Sequence, residues 1–156
     1  MSYIEHIAAP QEHPVSCGVQ LVEGREHILL VEDDRLVRDV AAEVLTIAGY
    51  VVWKADSAAE ATKIFKKYSA SIGLLIIDLV LPDDRGLALA RKLQALGGSF
   101  RTILISGYPE RVILKNSLDV PEFSYLPKPF SSEVLTRRVR HVLTLEKQRK
   151  ARMNPA

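Results

Sequence analysis

The amino-acid sequence predicts a doubly wound α/β fold built on five parallel strands. Five short apolar runs alternate with segments of helical period, the links between them are short, and the central run Leu74-Leu75-Ile76-Ile77 is unbroken, as in a strand buried on both faces. At 156 residues with 47% hydrophobic side chains, the chain suits one domain with a sizeable core.

Residues 1–25 mix Pro10, Pro14, Gly18 and Gly24 with short polar pieces and show no sustained period, so they read as a leader or linker. His27 to Val31 is a first strand, ending abruptly in Glu32-Asp33-Asp34. From Arg35, the positions Leu36, Val37, Val40, Ala41, Val44, Leu45 and Ala48 recur at helical spacing until Gly49 stops them. Tyr50 to Ala55 reads as a second strand. Asp56 or Ser57 then caps a helix through Tyr68, with Ala58, Ala61, Ile64 and Phe65 facing inward.

The third strand, Leu74 to Ile77, runs into Asp78 and a turn at Pro82. Leu87, Ala90, Leu93 and Leu96 mark a third helix closed by Gly97-Gly98, with Asp83 and Asp84 read as turn formers and caps of that helix. Thr102 to Ile105 is a fourth strand ending in Ser106-Gly107. A short fourth helix is expected within Pro109 to Asn116. Phe123 to Leu126 is a fifth strand ending in Pro127-Lys128-Pro129. Ser131 or Ser132 caps the fifth helix, with Val134, Leu135, Val139, Val142 and Leu143 on its inner face. Right-handed crossovers then give a flavodoxin-like sheet in strand order 2-1-3-4-5.

Composition narrows the function. The most apolar stretch, Ile72 to Leu81, is too short and too polar for a membrane span. Residues 1–24 contain no lysine and no long apolar block, unlike a secretory signal. Cys17 stands alone, so no internal disulfide or multi-cysteine zinc site is available, and a cytoplasmic setting is expected. Residues 131–156 carry seven basic side chains against two acidic, which leaves residues 1–130 with 14 against 17. Nucleic-acid binding is one reading of that basic end. The preferred reading is the solvated face and frayed end of a terminal helix, because no Tyr, Trp or Phe follows Phe130.

In an open parallel sheet, the carboxyl ends of all strands share one rim, where ligands bind. Taken alone, Asp78 reads equally as a turn residue or as a reactive carboxylate. The topology, however, brings Glu32, Asp33, Asp34, Asp78, Ser106 and Lys128 to that rim together. Carboxylates about 4 Å apart repel by roughly 4 kcal/mol at an effective dielectric near 20, so a cation is expected among Glu32, Asp33 and Asp78. With oxygen donors only, magnesium or manganese is favoured over zinc. A metal beside a carboxylate, a hydroxyl and a lysine is a set of parts for phosphoryl transfer.

The motifs Ile28-Leu29-Leu30-Val31-Glu32-Asp33-Asp34, Asp78-Leu79-Val80-Leu81-Pro82 through Gly86, Ile103-Leu104-Ile105-Ser106-Gly107 and Tyr125-Leu126-Pro127-Lys128-Pro129-Phe130 resemble the receiver domain of two-component response regulators. The resemblance covers residues 26–146, leaving 1–25 as leader and 147–156 as a basic tail. It implies that Asp78 accepts a phosphoryl group from a histidine kinase or phosphotransfer protein. Asp33, Glu32 and the Val80 carbonyl would hold Mg2+ with Asp78, while Lys128 and Ser106 hold the phosphoryl group. It also assigns Tyr125 as an aromatic switch coupled to Ser106, and a downstream protein-binding surface on the fourth helix, fifth strand and fifth helix. Val80 and Tyr108 take positions that tune access of the hydrolytic water.

A stand-alone receiver catalysing only its own phosphorylation and dephosphorylation is the first reading. The run Glu23 to Asp33 is also similar to the start of receivers attached to hybrid sensor kinases. An aspartyl-phosphate phosphatase is disfavoured because Val80 stands where such enzymes place a second acid.

Overall fold

The computed structural model describes residues 26–107 and 123–154. The elements are β1 (His27–Val31), α1 (Arg35–Ile47), β2 (Val51–Ala55), α2 (Ala58–Tyr68), β3 (Ile72–Asp78), α3 (Gly86–Ala95), β4 (Arg101–Ser106), β5 (Phe123–Pro127) and α4 (Ser132–Met153). All five strands are parallel, in the order β2-β1-β3-β4-β5, as the sequence predicts. The helix expected within Pro109 to Asn116 lies outside the described residues, so α4 is the fifth helix of the sequence reading.

Strand alternation divides the core in two. Leu29, Val31, Leu75, Ile77 and Leu104 pack with α2 and α3, whereas Ile28, Leu30, Leu74, Ile76, Ile103, Ile105 and Leu126 pack with α1 and α4. Glu32 and Asp78, which continue the series of Ile28, Leu30, Leu74 and Ile76 at the rim, follow the α1 and α4 side.

The helix ends obey local chemistry. Asp34 caps α1, its carboxylate accepting from the Leu36 and Val37 amides, and Gly49 follows the helix at φ 102°, a conformation that disfavours a side chain. Ser57 caps α2 and Ser131 caps α4. The inner face of α4 needs one correction: Val134 is 40% exposed and is not part of it. In α3, Leu89 joins Ala90 and Leu93 in the core, and Leu96, one residue past the helix, is exposed. The helix α4 continues unbroken through residues 147–153. Glu146 explains the continuity: although charged it is buried, and it pairs with Arg101 at the start of β4 (3.1 Å), while Lys147 pairs with Glu26 before β1 (3.0 Å).

Candidate functional site

Because β1 and β3 are neighbours with Val31 opposite Ile77, the next residues on each, Glu32 and Asp78, emerge side by side at the rim. Lys128, one residue past β5, reaches across to both. Its Nζ lies 2.6 Å from Asp78 Oδ2 and 2.8 Å from Glu32 Oε2. The second Asp78 oxygen, Oδ1, accepts from the Val80 amide at 2.9 Å. Glu32 Oε1 accepts from the Asp34 amide at 3.1 Å. Glu32 Oε2 is wholly buried and is held by the Lys128 ammonium.

Electrostatics follow from this crowding. Burial, reinforced by the Asp78 charge, raises the Glu32 pKa to about 7, although Lys128 and the Asp34 amide pull it down. Burial works against the Lys128 charge, but its bonds to Asp78 and Glu32 outweigh that and hold its pKa above the usual lysine value. Oxygens of Glu32, Asp33 and Asp78 all lie within 4.8 Å of one another. Three carboxylates so placed, with only oxygen to offer, fit a hard divalent cation. No His or Cys stands in that cluster to favour a softer ion.

Ser106 is buried at the end of β4, and its carbonyl accepts from both the Lys128 amide (2.8 Å) and the Tyr125 hydroxyl (3.2 Å). One carbonyl therefore ties the half-buried Tyr125 to the backbone that carries Lys128. The sequence-predicted residues Glu32, Asp33, Asp78, Val80, Ser106, Tyr125 and Lys128 are all found at or beside the rim, whereas Tyr108 lies outside the described residues.

The loop after Asp78 is tightly folded. Gly86 N donates to Leu79 O (2.9 Å), and Val80 faces Arg85 in an antiparallel bridge. This backbone pairing is the local role of Arg85, which otherwise begins α3 without a side-chain cap. A Cβ on Gly86 would stand 2.1 Å from the Asp78 carbonyl oxygen, so only glycine permits this approach of α3 to the acidic strand end. Asp83 and Asp84 do not cap α3 as expected. Asp83 accepts from the Ala58 and Ala59 amides of α2, and Asp84 holds the Arg85 amide and Lys92. Sequence reasoning also missed Arg38, whose guanidinium donates to the Glu32 and Asp33 carbonyls (2.8 and 3.3 Å) and braces the acidic turn. Its place on α1 is ordinary, and no pattern marks it.

Beside Lys128 runs an apolar groove lined by Leu36, Val37, Val40, Ala41, Pro129 and Phe130. Leu36 and Val40 are 75% and 50% exposed, and Ile47, further along α1, is 79% exposed. No helix among the described residues is long and apolar enough to cross a membrane.

Comparison with known proteins adds three findings. The family model described as "Response regulator receiver domain" matches residues 28–140. The chain is 34% identical over 140 residues to the sensor kinase CckA of Brucella abortus, and 33% identical over 118 residues to the aerobic respiration control protein ArcA of Escherichia coli. These matches take in 90% and 76% of the chain but only 14% and 48% of the two relatives. Among solved structures, the receiver domain of the hybrid histidine kinase CckA superposes with a TM-score of 0.64 at 34% identity, covering 75% of this chain and 98% of that one. A receiver domain protein from Methanospirillum hungatei gives 0.65 at 27% identity, covering 81% and 98%.

Proposed function

The chain belongs to the response regulator receiver family of two-component systems, and on that footing we propose that Asp78 accepts a phosphoryl group from a histidine kinase or phosphotransfer protein. The observation that carries this reading is the convergence of Lys128 on Asp78 and Glu32 at the end of the central strand.

In the reaction, an Asp78 carboxylate oxygen attacks phosphorus. The P–N bond to the donor imidazole breaks, its electron pair returns to nitrogen, and the nitrogen takes up a proton. Lys128, held at the carboxylate beforehand, is placed to follow the charge onto the phosphoryl oxygens, and the Ser106 hydroxyl donates to one of them. Glu32, Asp33, Asp78 and the Val80 carbonyl would hold Mg2+, which supplies charge neutralisation when bound.

The product carries about −1.5 to −2 of new charge at the rim. Ser106, drawn toward it, acts on Tyr125 through the segment their hydrogen bond already joins. A downstream protein then reads a surface that includes β5 and α4. The exposed α1 stripe beside Lys128 supports a protein, rather than a small metabolite, as phosphoryl donor.

Incubation with acetyl phosphate and Mg2+ tests the proposal. One base-labile phosphoryl group per chain is expected, absent in Asp78→Asn. Unaltered labelling of that variant, or sustained release of phosphate over many turnovers, would overturn it.

A further inference from the structure

The β3–α3 loop is gripped at both ends. At its base stand the Gly86–Leu79 bond, the Val80–Arg85 bridge and the Leu81 amide on the Asp84 carbonyl (3.2 Å). At its tip, Asp83 leaves the loop's own hydrogen bonding. Oδ1 accepts from Ala58 N at 2.9 Å and Oδ2 from Ala59 N at 3.0 Å. Those amides open α2 and have no acceptor within the helix. Ser57 already caps α2 locally by accepting from Glu60 N (3.2 Å), so Asp83 is a second cap, supplied from 25 residues downstream. The positive end of α2 also offsets an acid that otherwise adds to the charge of Glu32, Asp33 and Asp78.

The other end of this short loop touches the reacting group, since the Val80 amide donates to Asp78 Oδ1. Between the two anchors lies a backbone tied across itself, in which a shift of the tip is carried to Val80. The geometry points to Asp83 as a positioning residue of the acceptor site, which clamps the loop to α2 and thereby sets Val80 against Asp78 and its cation. The inference rests on the reading of Glu32, Asp33 and Asp78 given above, and it makes α2 part of the site's mechanics. Coupling of this kind is reciprocal, so a cation at the rim is felt at Ala58 and Ala59.

The test uses the full chain, Asp83→Ala, Asp83→Asn and Ser57→Ala. Mg2+ affinity is measured by calorimetry, the Ala58 and Ala59 amides by NMR, and label uptake with acetyl phosphate. Asp83→Ala is expected to weaken Mg2+ binding roughly tenfold, the low end for residues that support metal ligands, and to uncouple the two amides from Mg2+. Asp83→Asn, keeping one acceptor oxygen, falls between. Ser57→Ala lowers the thermal midpoint and leaves Mg2+ affinity unchanged. An Asp83→Ala protein that loses thermal stability but binds Mg2+ like the wild type overturns the proposal. If that variant does not fold, wild-type Ala58 and Ala59 amides that ignore Mg2+ overturn it equally. A wild type that binds Mg2+ without taking up label defeats the acceptor reading instead, and Asp83 is then judged on Mg2+ affinity alone.

Discussion

The Lys128 ammonium stands 2.8 Å from the buried Glu32 Oε2. On the proposed Mg2+ site, the lysine supplies part of the positive charge that a divalent cation would bring. Lys128→Ala should cost the metal-free protein about 1–3 kcal/mol, limited because Glu32 can escape its exposure to Asp78 by taking a proton. Mg2+ should restore more stability to the variant than it adds to the wild type. Urea unfolding with and without Mg2+ measures both; equal Mg2+ increments would contradict the prediction.

Gly86→Ala should destabilise the fold by about 1–3 kcal/mol, since the new methyl meets the Asp78 carbonyl and the backbone must move. The same displacement should slow labelling with acetyl phosphate. A thermal midpoint and labelling rate equal to wild type would show that α3 yields without disturbing the strand end.

Val80 is 58% exposed, and on the proposed acceptor role of Asp78 its apolar side chain stands where hydrolytic water would approach. Phosphorylated protein should therefore decay slowly, and Val80→Asn should accelerate decay roughly tenfold by giving that water a hydrogen-bonding partner. Loss of label from purified protein over time provides the comparison, and matching decay curves would refute it.

Trp53, the only tryptophan, donates from Nε1 to His27 Nδ1 at 3.2 Å and stacks on Tyr68 at 3.9 Å. Burial lowers the His27 pKa, against an upward pull from Glu26. The bond needs the neutral imidazole, so its contribution to stability is complete above the unfolded value of about 6.5 and is lost as pH falls through the lower folded value. Trp53 fluorescence should titrate with a midpoint below 6.5, and His27→Phe should abolish that step.

The sheet order and the rim were legible in the sequence because both depend on short-range signals. A buried strand announces itself by unbroken apolar residues, and an acid directly after one must lie at its end. Glu32 and Asp78 are of this kind. Side chains whose partners come from elsewhere in the chain were not legible. Asp83 looks like an ordinary turn residue until α2 is folded beside it, and Arg38 looks like any polar helix position until its guanidinium meets the Glu32 carbonyl. Glu146 shows the limit most clearly: within a basic helix it reads as solvated, yet Arg101 draws it out of water. Leu36 and Val40 fit helical spacing while facing outward, because periodicity alone does not distinguish a core stripe from a docking stripe.

The ladder between β1 and β3 has one more consequence. Glu32 and Asp78 meet only because Val31 stands opposite Ile77, and a slip of one residue would send one of the carboxylates through the sheet to the other face. Central strands part only when the whole molecule opens. Competence of the acidic pair is therefore an all-or-none property of the folded population, and on the proposed acceptor role of Asp78 the labelled fraction of a preparation cannot exceed its fraction of native molecules.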